Sequence, residues 1–164
     1  MTKGKLIKIT GRILVNQNIE NTFDFFANPK YDSLWRKEIN KSVLDGPLQV
    51  GVKVSEYSYL SKKVPNNLIE LQCVDFEKNK IGTFETFANA KFKLKSERKT
   101  RAISDKLTEV FYTLHFDINI VKFALGFGLP KFLIKWKANS DMQKYLRKLK
   151  IHLDNLKVRP APSH

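Results

Sequence analysis

The chain has 164 residues, of which 42% are hydrophobic and 12% aromatic, and it carries a formal net charge of +14. This composition excludes an intrinsically disordered chain and is typical of one folded domain. The only cysteine, Cys73, excludes an intrachain disulfide, and its apolar, strand-like surroundings favour a small buried hydrophobe over a nucleophile.

The first forty residues predict one strand followed by two short helices. Apolar and polar residues alternate in 6–15, which indicates a strand with one buried face. In residues 19–28, Phe23 and Phe26 recur at helical spacing as core residues, and the following proline ends the helix. The segment "YDSLWRKEI", residues 31–39, predicts the second short helix.

From about residue 40 the hydrophobic pattern changes to period two and predicts six further strands. Short turns join these strands, so the pattern favours an antiparallel meander. The predicted strands are 42–47, 50–60, 68–76, 81–87, 88–103 and 107–118.

The last third of the chain returns to helical spacing. Pro130 suits the first position of a helix, and the residues that follow form one continuous apolar stripe: Met142, Leu146, Leu149, Leu153 and Leu156. A single amphipathic helix cannot bury such a stripe alone. The helix is therefore predicted to lie across the concave face of a curved sheet.

This order of elements resembles the helix-grip fold of the START-like (SRPBCC) superfamily, which includes polyketide cyclase/dehydrase-like proteins, START lipid-transfer domains and the birch-pollen-allergen family. The similarity is carried by "ITGRILV", "FDFFANPKYDSLW", "GPLQVGVKVSEY" and "MQKYLRKLKIHLDNL". It implies one α+β domain over residues 1–158, with a frayed tail at 159–164. In that domain a curved antiparallel seven-stranded sheet wraps around a long C-terminal helix, and two short helices lie between strands 1 and 2.

The resemblance also implies an apolar cavity between sheet and helix that holds a hydrophobic small molecule, such as a lipid, sterol or polyketide, without a cofactor. The break after the first helix is expected to place Tyr31 and Trp35 at the entrance. Aromatic rings with a few hydroxyl groups suit such a pocket, although each ring could equally fill the core. The predicted ligand-binding residues are Trp35, Tyr57, Tyr59, Phe84, Tyr112, Phe116, Phe123 and Phe127.

Few residues offer catalytic or metal-binding chemistry. His115, His152 and His164 are far apart and lack ligand spacing, so no metal site is predicted. Glu56 could face the cavity as a general acid, and Arg98 could hold a carboxylate there. For Glu56 a strand end in solvent or a pair with a lysine is the simpler expectation, and for Arg98 a solvated run of charges, so no catalytic residue is predicted.

The positive charge has two competing explanations. The 30 Lys+Arg against 16 Asp+Glu would attract nucleic acid, anionic lipid or acidic ligands. Lysine greatly outnumbers arginine, however, and arginine is the residue that phosphate and guanine recognition favours. A lysine-rich composition with a solvated surface is therefore preferred, and nucleic acid is not the expected partner.

The apolar segment 119–136 can be interpreted in two ways. It is too short and contains too many lysines to span a bilayer, and charges interrupt every apolar run of residues 1–15, so the sequence predicts a cytoplasmic location. Lys122, Lys131 and Lys135 lie among its phenylalanines, so it could contact an anionic membrane surface. Packing onto the protein's own sheet is the alternative.

Three functions remain open from the sequence. The leading one is a non-catalytic binder or carrier of a hydrophobic small molecule. The second is a cyclase- or dehydratase-type enzyme for a polyketide-like or aromatic substrate, which requires titratable groups that converge inside the cavity. The third is a nucleic-acid-binding module that uses the basic surface.

Overall fold

A computed structural model, which describes residues 6–156, shows a seven-stranded antiparallel sheet that curls around a long helix. This arrangement confirms the predicted α+β helix-grip architecture. The predicted tail at 159–164 lies outside the described residues. In chain order the elements are β1 (Leu6–Val15), α1 (Ile19–Ala27), a 3₁₀ helix (Pro29–Leu34), β2 (Ile39–Leu44), β3 (Lys53–Ser58), β4 (Asn67–Glu77), β5 (Ile81–Thr86), β6 (Leu94–Ser104), β7 (Leu107–Asp117), α2 (Asn119–Leu125) and α3 (Lys131–Asp154).

Strand order in the sheet follows the chain with one exception. The order is β1-β7-β6-β5-β4-β3-β2. Strands β2 to β7 form the predicted meander, and β7 also pairs with β1, the first strand of the chain. None of the helices in the described part of the chain is long and apolar enough to cross a membrane.

Two asparagine side chains cap the N-termini of the two helices that precede β2. Asn18 accepts a hydrogen bond from the Asn21 backbone N–H at 2.8 Å and so caps α1. Asn28 accepts from the Lys30 N–H at 3.1 Å, directly beside Pro29. Because proline fits the first turn of a helix, the second helix begins at residue 29 rather than 31, and it is a short 3₁₀ helix rather than the longer helix predicted over 31–39.

The C-terminal part of α3 packs directly on β1. A Cβ atom at Gly11 would lie 2.6 Å from Cδ1 of Leu146 and 2.9 Å from Cγ of Met142, so the close approach of helix and strand requires glycine. The stripe is otherwise as predicted, because Met142, Leu146, Leu149 and Leu153 are all buried. Leu156 is the exception: it follows the end of the helix and is 37% exposed.

Other predicted boundaries are wrong too: β2 spans Ile39–Leu44 rather than 42–47, and the pattern also fails near the start of β6 and after β7. Residues 88–93 form a loop rather than the first part of β6, and Lys93 Nζ donates to the backbone carbonyls of Phe87 and Ala88. The unpredicted helix α2 follows β7 and ends at Gly126, whose φ of +83° is the left-handed conformation that favours glycine. The α2 helix matters because it forms one wall of the site described below.

The core consists of two clusters: one joins α3 to β1 and β7, and the other, which includes Cys73, lies on β3, β4 and β5. Phe23 and Phe26 are at most 1% exposed and Cys73 is 1% exposed, which confirms the sequence interpretation of all three. From Lys131 to Asp141, by contrast, Ile134 is the only fully buried side chain of α3. Most side chains in the first half of the helix are therefore at least partly exposed.

Candidate functional site

A cleft of about 950 Å³ borders the first half of α3. Its walls come from α2 and α3, from the end of β7, and from residues beside β2 and β3. Most of the lining is apolar, including Phe116, Ile120, Leu129, Leu133, Ile134 and Ala138. At its rim Trp136 is 69% exposed and Tyr59 is 44% exposed, so the cleft is open to solvent.

The polar groups of the cleft gather around Glu38 and Tyr145. The Oε1 atom of Glu38 accepts from Nε of Arg36 at 3.0 Å, and Nη2 of the same arginine lies 2.9 Å from it in an ion pair. The Tyr145 hydroxyl lies next to this carboxylate. Burial, and then the Glu38 charge, raise the pKa of Tyr145 well above its usual value, so this tyrosine remains a neutral phenol.

Glu38 is also the outer end of a buried network of charged side chains. The other members are Asp32, Arg36, Glu56 and Arg98, and none is more than 4% exposed. Their ion pairs are the following: Arg98 donates to both oxygens of Asp32 at 2.7 and 2.6 Å, and Nη1 of Arg36 donates to Asp32 at 3.0 Å and to Glu56 at 3.2 Å. The charges therefore compensate one another inside the core.

Local structure explains why these charges meet. The 3₁₀ helix places Asp32 four residues before Arg36, on the same side of the turn. Glu56 lies on the inward face of β3, and Arg98 lies on the inward face of β6 between Ser96 and Thr100. All three nitrogens of the Arg98 guanidinium are bonded, since Nε also reaches Ser96 at 3.1 Å.

The solvent-exposed positions expected for Glu56 and Arg98 are therefore wrong. Alternation in β3 and β6 turns both side chains inward, and the remote Asp32 supplies the negative charge that makes the burial of two arginines tolerable. The sequence contains a usable signal, because Asp32 and Arg36 have the spacing of an intrahelical ion pair beside a predicted break.

Burial raises the pKa of Glu56 above its usual value, and the charge of Arg36 offsets only part of this shift. Because the folded state holds this proton more tightly than the unfolded state, protonation stabilises the fold at low pH. That contribution is lost as the pH rises through the folded-state pKa. The stability difference between the wild type and Glu56→Gln should therefore fall as the pH rises.

Urea titrations of both proteins between about pH 4 and pH 8 measure this difference. Glu77→Gln is the matched control, since the Glu77 side chain is 61% exposed and pairs with Lys80 on the surface. A stability difference for Glu56→Gln that stays constant with pH, or rises, would contradict the assignment.

Three of the predicted ligand-binding residues surround the Arg98 guanidinium instead of the cleft. Its Cζ atom lies 5.8 Å from the ring centre of Trp35, 5.4 Å from that of Phe84 and 5.6 Å from that of Tyr112. Trp35 is fully buried, so it does not stand at an entrance as expected, because its ring packs against those of Phe26 and Tyr112. Tyr31 stacks on Phe25 with ring centres 5.2 Å apart.

The other five predicted residues divide between the cleft and the surface. Tyr59 and Phe116 line the cleft. Tyr57 lies on the opposite face of β3 from Glu56. Phe123 packs on Phe92 with ring centres 5.3 Å apart and is 38% exposed, while Phe127 is 58% exposed in the loop after α2.

Several cleft residues were not predicted, although α3 carries a signal for them. Ile134, Ala138, Asp141 and Tyr145 follow one another at steps of four, three and four, which marks a second face of the helix beside the core stripe. No sequence pattern marks Glu38 as a cleft residue. It lies two positions after Arg36, with which it forms an ion pair beside the cleft.

Residues 6–156 contain no group of three or more His, Cys, Asp or Glu side chains that could hold a metal ion. His115 is half-buried on the outer face of β7, where burial and the charges of Lys8 and Lys95 lower its pKa. His152 stacks on Phe25 at 5.8 Å, and His164 lies outside the described residues.

Comparison with known proteins gives structural likeness alone. By sequence the chain matches no protein-family model and no curated protein. Among solved structures, a START superfamily protein from Mycobacterium smegmatis is similar over 92% of this chain and 99% of its own, with a TM-score of 0.72 and 10% identity. The Zhui aromatase/cyclase from Streptomyces sp. R1128 is similar over 92% and 90%, with a TM-score of 0.59 and 10% identity.

A third structure, of Ara h 8.0201, is similar over 90% of this chain and 97% of its own, with a TM-score of 0.58 and 8% identity. Likeness over nearly the whole of each chain, at such low identity, reports the path of the backbone rather than the chemistry of a site. Together with the strand order and the position of α3, it shows that the chain has the helix-grip fold of the START-like superfamily.

Proposed function

We propose that the protein binds or carries a hydrophobic small molecule, such as a lipid, sterol or polyketide-like compound, in the cleft beside α3. The observation that carries this proposal is the mostly apolar cleft of about 950 Å³. Its volume suits a ligand of moderate size, and a few polar groups converge at one place in an otherwise apolar wall, which is the usual construction of such sites.

A cyclase- or dehydratase-type enzyme is the second candidate. The inward positions of Glu56 and Arg98 favour it, as does the fold shared with an aromatase/cyclase. However, neither side chain lines the cleft, and each is already bonded within the buried network. Asp141, which does line the cleft, pairs with Lys137 at 2.6 Å. These saturated groups support a carrier more than a catalyst.

Filling the cleft tests the proposal. Ala138→Trp places an indole in the cleft wall, and we expect it to weaken the binding of the neutral fluorescent probe N-phenyl-1-naphthylamine by about tenfold or more, because the indole takes the volume that the probe needs. The measurement is a fluorescence titration, accompanied by thermal unfolding to show that the variant is folded.

The control is the same substitution at Ala102, an exposed residue of β6 outside the cleft, which should leave probe binding unchanged. Equal affinity of Ala138→Trp and the wild type would place the probe elsewhere and refute the cleft as the binding site.

We further propose that the mouth of the cleft contacts an anionic membrane. Three large rings beside the mouth face solvent, since Phe127, Phe132 and Trp136 are 58%, 71% and 69% exposed. Lys131 and Lys135 alternate with them in sequence. Exposed aromatic residues among lysines suit the boundary between lipid headgroups and acyl chains, and a lipid that leaves the bilayer there would meet the cleft directly.

A further inference from the structure

Three segments of the chain meet at the end of the sheet where the cleft opens. Alternate connections of an antiparallel meander lie at the same end, so this end holds the β3–β4 loop (residues 59–66), the β5–β6 loop (residues 87–93) and the segment that follows β7 (residues 118–140). Ser61 Oγ donates to the Ala124 carbonyl at 2.6 Å, and Phe92 packs on Phe123. The three segments therefore form one surface, the mouth end.

The mouth end carries charge of one sign. Its three segments contain no Asp, Glu or Arg. They contain eight lysines, all of them exposed: Lys62, Lys63, Lys91, Lys93, Lys122, Lys131, Lys135 and Lys137. The connections at the other end of the sheet, residues 45–52, 78–80 and 105–106, hold two aspartates and three lysines. Positive charge is therefore concentrated where the cleft opens.

The lysines of the mouth end also lack the partners that lysines on the sheet have. Lys53, Lys95 and Lys99 each pair with a glutamate. Within residues 6–156, Lys137 is the one lysine of the mouth end that forms an ion pair, with Asp141. Uncompensated like charges repel one another and attract anions. The mouth end is therefore suited to an extended anionic partner.

The two sheet loops place their lysines beside the aromatic residues of this end. Lys91 Nζ lies 4.0 Å from the centre of the Phe123 ring. A Cβ atom at Gly126 would lie 3.2 Å from Lys63 Nζ, so the β3–β4 loop reaches the residue that precedes the exposed Phe127. Cationic and aromatic groups are thus adjacent on both loops, as they are at the start of α3.

We propose that the mouth end docks as a whole on an anionic membrane, and that the lysines of residues 59–66 and 87–93 supply much of the attraction. The inference rests on the membrane contact proposed for α3 and adds the two sheet loops to it. Lysines near the bilayer surface bind anionic headgroups, while the rings after α2 enter the boundary between headgroups and acyl chains. The cleft then opens towards the bilayer.

Other partners fit this surface less well. Arginine, which phosphate and base recognition favours, is absent from all three segments. A second copy of the chain would bring the same eight positive charges against these, and like charges across an interface are costly. A bilayer combines an anionic surface with an apolar interior, which matches lysines around the opening of an apolar cleft.

Reversal of charge on the two sheet loops tests the inference. The combined variant Lys62→Glu, Lys63→Glu and Lys91→Glu should bind phosphatidylcholine vesicles that contain phosphatidylserine about a hundredfold more weakly than the wild type, because each substitution replaces attraction with repulsion. Vesicle sedimentation measures the binding. None of the three lysines lines the cleft, so the affinity for N-phenyl-1-naphthylamine should be unchanged, which also shows that the variant is folded.

The control reverses three lysines at the opposite end of the sheet. Lys78→Glu, Lys80→Glu and Lys106→Glu together change the net charge by the same amount, and this variant should keep most of the wild-type vesicle binding. The comparison separates the position of the charges from their total.

Equal vesicle binding by the two variants would overturn the inference, while replacement of Phe127, Phe132 and Trp136 tests the contact of α3 separately. If the wild type does not bind these vesicles, the membrane contact of α3 fails together with the inference, and binding of N-phenyl-1-naphthylamine still reports on the cleft. Retardation of single-stranded DNA that the Lys62, Lys63 and Lys91 variant loses, without vesicle binding by the wild type, would assign the mouth end to nucleic acid instead.

Discussion

Asp32→Asn should lower the free energy of unfolding by about 3–5 kcal/mol, because it leaves two buried arginines without their shared countercharge. Asp32 is fully buried and accepts from Arg36 and from both terminal nitrogens of Arg98. After the substitution, Glu56 would be the only fully buried carboxylate left in the network. Urea denaturation near neutral pH measures the loss.

Two comparisons make this result specific. Glu70→Gln removes the carboxylate of an ion pair with Lys53 whose side chains are 44% and 41% exposed, and it should cost far less. Adding Arg98→Met to Asp32→Asn should recover part of the lost stability, since it removes one of the unpaired charges. If Asp32→Asn costs no more than Glu70→Gln, the buried network does not stabilise the fold in the way described.

Replacing Phe127, Phe132 and Trp136 together with serine should reduce binding to anionic vesicles by about a hundredfold or more, since each ring that inserts contributes about 1.5–3 kcal/mol. The rings are already exposed, so the variant should fold normally. Sedimentation with phosphatidylcholine vesicles that contain phosphatidylserine measures the partitioning.

The matched control removes three apolar side chains from the opposite face of the sheet. Leu14, Leu68 and Val74 are 47%, 48% and 41% exposed, and their replacement by serine should leave vesicle binding unchanged. Wild-type binding should also weaken as salt rises, because lysines supply part of the attraction. Equal binding by the two triple variants would show that the rim of the cleft is not the membrane-contacting surface.

Hydrophobic periodicity predicted the kind and order of the main elements. The alternation of β1, the meander that follows it and the leucine stripe of α3 each repeat with the period of the element that they form. Burial of one face produces such a repeat, so the repeat indicates both the kind of element and the face that turns inward. The stripe failed only at Leu156, beyond the last helical turn, where no helix geometry remains to hold it against the sheet.

Only the tertiary structure decided which side chains contact one another on the inward faces of these elements. Asp32 and Arg98 are separated by 66 residues, and no local pattern reports that a carboxylate on a short helix will neutralise an arginine on β6. Trp35 was expected at an entrance, but its ring fills the core beside that ion pair. The second half of α3 packs closely on β1 at Gly11, whereas the cleft borders the first half, where few side chains are buried, and this difference depends on contacts between distant parts of the chain.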